Sequence, residues 1–383
     1  MTDAHTHSII YRSMRDKIFA VVIFLITILL FIFMPQIRDS LGQRPMFSQE
    51  FAVGVVQDVL EEDLTEDPIV RGHYRGIQKI SVKILDGTKK NNVYETYNTL
   101  SALHNTRAYK DLKAVFTIRV QDGKESIWLY NQKRDTHIYI LVLLFALSLI
   151  FLGKRQGLKS LLGLVFTCTV IVSLLVPALF AGFAPIPISI LLVSVVTFVS
   201  FILVSGFSRK TYAAILGTIC GISIAGLISI IVSYTANLSG VNMEGGEQLL
   251  NIAPDYNLKL NGLLFISILI ASLGAVMDVS MSVSSSMHEI LTIDPTIEKK
   301  KLFKSGLNVG KDITGTMSNT LILAFAGTSL PLIMMIWGYG MSLRQFINIP
   351  KIVIHIVQGL AGSMGIITSV PCTAFFAAVL PRK

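Results

Sequence analysis

The sequence predicts an α-helical polytopic membrane protein with about eight transmembrane helices and one small extracytoplasmic β-barrel-like domain. Three observations carry this. Apolar residues make up 52% of the 383-residue chain and charged residues 15%, where an average soluble domain is about 25% charged. Most of the apolar residues gather in runs long enough to cross a hydrocarbon core of about 30 Å. Between the first run and the others lies a polar segment, 36–134, with the alternation of strands.

Residues 1–17 read as a cytoplasmic N-terminus. Arg12, Arg15 and Lys17 precede the apolar run Ile18–Met34. That run is longer than the apolar core of a cleaved signal, about 7–15 residues, so 18–35 is expected to be an uncleaved signal anchor. In 36–134, "FAVGVVQDVL", "GIQKISVKILDG", "NVYETYNTL", "LKAVFTIRVQDG" and "SIWLYNQ" alternate or carry β-branched and aromatic residues. Asp86-Gly87 and Asp122-Gly123 are turn signals. Five short strands predict a compact barrel, and the acidic stretch Glu61–Asp67 is expected to be a loop. Residues 135–383 then hold seven spans, expected at 137–153, 158–181, 186–207, 211–235, 260–287, 313–338 and 352–380.

The net charge of +9 forms no single patch, so no nucleic-acid partner is expected. Basic residues recur instead at the ends of apolar runs. Lys154, Arg155 and Lys159 share one loop, and Arg209 and Lys210 another. Lys299, Lys300, Lys301, Lys304 and Lys311 share a third, and Arg382 and Lys383 end the chain. The intervening loops are poorer in Lys and Arg. One orientation satisfies every loop: both termini cytoplasmic, 36–134 outside. Cys168, Cys220 and Cys372 all lie in apolar runs, so neither a disulfide framework nor a cysteine metal site is expected.

The chemistry concentrates in "GAVMDVSMSVSSSMHEI", 274–290. On a helix, Ala271, Gly274, Ala275, Asp278, Ser282 and Ser285 share one stripe, opposite Ile268, Val276, Val279 and Val283. Small residues let membrane helices approach, so the stripe is expected to face protein or trapped water. In the following span, Asp312, Thr316, Asn319 and Thr320 share a face. Counting from the span ends puts Asp278 about 15 Å deep and Thr320 about 12 Å deep, so Asp278 is expected to meet Asn319 or Thr320. Gln358 enters the final span from the outer side. An intramembrane carboxylate points to binding or relay of a cation such as H⁺ or Na⁺. A hydrogen-bonded packing role is the alternative, and packing is the first reading of the neighbouring serines. The segment 295–311 is expected to form an amphipathic interfacial helix carrying Ile297, Leu302, Phe303 and Leu307. His288-Glu289 lacks a second ligand pair, and the chain has no phosphate loop or nucleophile elbow. No metal, cofactor or enzymatic activity is therefore expected. An Asp278–Asp312 dyad is set aside, because the same count separates the two by about 15 Å in depth.

"LGAVMDVSMSVSSSMHEI" followed by "GKDITGTMSNTLILAFAGTSLPL" resembles the YibE/F family of bacterial multi-span membrane proteins, over about 137–380. A signal anchor with a small extracytoplasmic domain is similar to the YibE branch. The resemblance implies the bacterial cytoplasmic membrane, a multi-pass topology and a YibF-like membrane partner. A more distant resemblance is to SecD and SecF, where a span with an intramembrane Asp runs through a charged cytoplasmic segment into a Ser/Thr-rich span. Together these readings give two expectations. One is an ion-coupled transporter or energy-coupling subunit with Asp278, Asn319 and Thr320 at the ion site, and with Gly274, Ser282, Ser285, Thr316 and Gln358 in the polar packing seam. The other is a non-transporting scaffold or assembly factor. In both, 36–134 engages an envelope substrate or partner.

Overall fold

Alternating apolar positions fold the polar segment into one antiparallel sheet, in a computed structural model that describes residues 2–40, 49–121 and 124–381. Its strands are β1 (Gln49–Glu66), β2 (Tyr74–Ile84), β3 (Val93–Leu100), β4 (Lys113–Gln121) and β5 (Lys124–Gln132), ordered β3-β2-β1-β4-β5. With a side-chain period of two, Val56, Ile80, Val82, Ile84 and Phe116 reach one interior and are fully buried there. The sheet is a half-barrel. Among the described residues, β3 and β5 share no backbone ladder and are bridged by side chains instead. The Tyr94 hydroxyl donates to Glu125 Oε2 at 2.9 Å, and the Thr96 hydroxyl donates to the Ile127 carbonyl.

The acidic stretch expected to be a loop is strand as far as Glu66. Its carboxylates stand opposite β2, Glu61 across from Lys79 and Glu62 across from Gln78. Gln78 Nε2 and Arg107 Nη2 both donate to Glu62, at 2.7 and 2.6 Å. Two register shifts, at Val56/Asp58 and Val59/Glu61, let this long strand coil. Asp67 then caps the turn. It accepts from the Ile69 and Val70 amides at 2.9 and 3.2 Å and from Arg75 Nε at 2.7 Å. Those amides, with the Arg75 guanidinium, hold its carboxyl below the usual range. The Asp122-Gly123 turn and the terminal Arg382-Lys383 pair lie outside the described residues.

The remaining chain is helical. α1 (Thr2–Ser40) contains the expected anchor and carries Pro35 inside it. α2 (Asp135–Val170) passes through a π-turn, Ile171–Leu175, into α3 (Val176–Phe180). There follow α4 (Pro185–Ser205), α5 (Arg209–Thr235), α6 (Gly246–Ile252), α7 (Leu263–Ile293), α8 (Lys299–Thr328), α9 (Leu330–Gly338), α10 (Leu343–Phe346) and α11 (Pro350–Val379). Among the described residues, six helical stretches are long and apolar enough to cross a membrane, or seven if α8 and α9, bent by 59°, form one span.

The expected count of eight divides Asp135–Phe180 in two. That stretch does break where the division falls. Lys154 leaves helical geometry, with φ 48° and ψ −126°. A Cβ at Gly157 would overlap the Leu149 carbonyl, yet a straight helix holds residues eight apart at about 12 Å.

The chain forms two compact units, Met1–Leu41 with Leu149–Lys383, and Gly42–Ser148. In the helical unit α11 packs against α5, α7 and α8. The α5–α11 approach is close: a Cβ at Gly221 would lie 2.6 Å from the Gly365 carbonyl and 2.7 Å from Ser369 Cβ. The expected interfacial helix at 295–311 is instead the first part of α8. Leu302 is fully buried, and Gly306 and Gly310 lie against Ala374 and Val370 of α11.

Candidate functional site in the membrane-spanning helices

The inward face of α7 is its β-branched face. Ile268, Val276, Val279 and Val283 are all fully buried, with Val276 beside Gly221 of α5. Ser284 joins them through its hydroxyl, which donates to the Lys210 carbonyl at 2.7 Å. The small and polar stripe points the other way. Ala271, Gly274, Asp278 and Ser282 are exposed, and Ala275 and Ser285 are half-buried. Within the chain the stripe is left uncovered, and the expected protein contact is not made by its own helices. The physical reason lies in the neighbours: α5 and α11 supply the small residues, so α7 offers them branched side chains.

On α8 the same holds. Asp312, Gly315, Thr316, Asn319 and Thr320 are exposed, while Leu321, Gly306 and Gly310 are buried. The hydroxyls of Thr316 and Thr320 bond within the helix, to the Ile313 and Thr316 carbonyls at 2.9 Å. Ser363 of α11 reaches the Ser318 carbonyl at 3.4 Å.

Two contacts fix the antiparallel register of α7 and α8. Ser272 and Leu321 both meet Gly362, and Met287 meets Gly306. Ser272 and Met287 are as far apart on α7 as Leu321 and Gly306 are on α8. Interpolation therefore sets Asp278 level with Gly315. Asn319 is level with Gly274, about 6 Å along the axis from Asp278, and Thr320 is about 7.5 Å away. The expected pairing of Asp278 with Asn319 or Thr320 is not formed. Asp312 is offset from Asp278 by only about 4.5 Å along the axis, not about 15 Å. The difference arises because α8 begins at Lys299, well before its apolar run, and enters the bundle earlier than that run does. Among the described residues Asp278 makes no hydrogen bond or ion pair.

Gln358 lies elsewhere. It is 8% exposed and its Nε2 donates to Ser267 Oγ at 3.0 Å, tying α11 to α7 near their N-terminal ends. Ser267 and Ser272 meet α11 at Gln358 and Gly362, yet neither stands out in the sequence as a contact residue. The small-residue spacing of α11 was the visible signal for that packing.

Residues 141–383 match the model of the YibE/F-like protein family. This chain belongs to the YibE/F-like family. The match covers the helical part of the chain from α2 to its end, and so includes the Asp278 and Asn319 segments. Mostly helical, with long apolar helices, this YibE/F-like protein is a membrane protein that carries a separate half-barrel unit. No curated protein and no solved structure matches it. The likeness to SecD and SecF gains no support from these comparisons.

Proposed function

We propose that this YibE/F-like protein is an ion-coupled transporter or energy-coupling subunit whose intramembrane Asp278 is completed by a second membrane protein. The observation that carries the reading is the position of Asp278. It sits midway along an apolar helix, on an outward face, with no partner in its own chain among the described residues. An ionised Asp at a helix centre costs roughly 2.5–3.5 kcal/mol in a bilayer, so such residues ordinarily face protein or water. Asn319, Thr316 and Thr320 present polar atoms on the outward face of the neighbouring helix. A YibF-like partner laid over both faces brings Asp278 into a polar, protein-lined site. Coupling then means that Asp278 takes up and releases H⁺ or Na⁺ as that interface opens and closes. The proposed setting is the bacterial cytoplasmic membrane. Eight spans place both termini in the cytoplasm and the half-barrel outside, where it engages an envelope substrate. No enzymatic step is assigned.

The scaffold reading has one observation in its favour. Gly274 and Gly315 have nothing within 4 Å of where a Cβ would stand, which suits plain packing against another helix. Flux decides between the two. Wild type and Asp278→Asn are reconstituted with the partner, and proton and sodium flux are measured at matched folded yield. Coupling requires flux that the variant abolishes. Equal flux in both refutes it, and an intact complex without flux in either supports the scaffold.

A further inference from the structure

The outer face of the half-barrel carries exposed aromatic side chains. Tyr97 on β3 and Trp128 and Tyr130 on β5 are 59%, 44% and 56% exposed. Strand alternation puts all three outside, since Thr96, Ile127 and Leu129 turn inward. Trp128 and Tyr130 stand two residues apart on one strand, about 6.8 Å. Tyr97 faces them across the seam between β3 and β5. Phe51 of β1 adds an edge to the Tyr130 ring, with centroids 5.2 Å apart, and so fixes the ring plane. The Arg119 guanidinium lies 5.9 Å from the Trp128 ring centre.

These rings border a cavity of about 430 Å³, whose other walls include Thr99, Thr117 and Gln49. That volume falls in the range of small-ligand sites. Its lining contains no carboxylate and no lysine, and its polar walls also include Arg119, His104 and Asn98. Clustered aromatic side chains on a small polar unit mark a binding surface rather than a packing residue.

We propose that this cavity binds a β-linked oligosaccharide. It rests on the half-barrel engaging an envelope substrate and is independent of Asp278. An all-equatorial hexose has two flat C–H faces, which stack on tryptophan and tyrosine rings. Its hydroxyls both donate and accept, and so do the Thr99 and Thr117 hydroxyls on the walls.

The chain holds two tryptophans, Trp128 and Trp337. Full-length Trp337→Phe protein in lipid nanodiscs therefore leaves Trp128 as the single reporter. Titration with chitotetraose is expected to shift Trp128 emission saturably. Tyr130→Ala or Tyr97→Ala, on separate strands, each weakens binding about tenfold, the scale of one lost ring contact. Their circular dichroism matches the parent, which separates lost binding from lost folding. Three results overturn the proposal: no saturable shift with chitotetraose or cellotetraose, saturation by a proline decamer in place of the sugar, or quenching of Trp128 by brominated lipid. The readout is binding alone, so its failure leaves the flux experiment on Asp278 undecided and separate.

Discussion

Replacing Asp278 by leucine is expected to stabilise the isolated chain in a bilayer, and the sign of the effect is diagnostic. On insertion scales an Asp at a helix centre costs roughly 2.5–3.5 kcal/mol and a Leu gains about 0.3–0.6. Asp278 stands on the outward face of α7 with no bond to its own chain among the described residues, so nothing offsets that cost. The substitution is therefore worth up to about 4 kcal/mol, or two to three orders of magnitude in the folding equilibrium. Had Asp278 been buried against Asn319 and Thr320, the same change would strand buried polar groups and cost about 1–3 kcal/mol. The assay is equilibrium unfolding of the purified chain in bicelles at pH 8, without any partner. Val279→Asp is the control. Val279 is fully buried one residue away, so placing a charge there unfolds the protein. With the partner present, Asp278→Leu is expected to weaken the complex. A destabilised isolated Asp278→Leu chain would refute the outward placement and restore the internal site.

Gly221→Val is expected to lower stability by about 1–3 kcal/mol, read as an earlier unfolding midpoint, because its side chain enters the Gly365 carbonyl and Ser369. Gly274→Val, at a site with open space, should leave the midpoint of the isolated chain nearly unchanged while weakening any complex. Gln358→Leu removes the bond to Ser267 and should cost about 1 kcal/mol. Asp67 supplies a pH signature in the half-barrel. Its folded carboxyl titrates below the unfolded value of about 3.9, so its contribution is present above that value and is lost as pH falls through the folded one. Melting curves of wild type and Asp67→Asn should therefore differ at pH 7 and converge in acid.

Much of the fold was legible because its signals are local. Period-two alternation located all five strands, and the apolar runs located the long helices. The acidic end of β1 was not legible. Glu61 and Glu62 read as loop composition until Lys79, Gln78 and Arg107, distant in sequence, are placed beside them. The break at Lys154 was visible as a basic cluster between two apolar runs, although the helical stretch nominally continues through it. The register of α7 on α8 was beyond reach. Depth counted from the ends of hydropathy runs ignores how far a helix extends beyond its apolar run. That error moved Asn319 by more than one helical turn.

That α7 packs its branched face within the chain has a more general reason. In water the polar stripe of a helix faces out because burial of the apolar face is favourable. In lipid both faces are equally apolar to their surroundings, and close fit decides which one packs. Val276 fits against Gly221, and Ile268, Val279 and Val283 extend the same surface. The fit is satisfied within the chain and leaves Asp278 outside it. Gly274 lies one turn from Asp278, Gly315 stands level with it, and both have open space where a side chain would be. A helix laid against them can bring its backbone close and cover the carboxylate. A partner that completes this site must therefore carry hydrogen-bond donors at the level of Gly315.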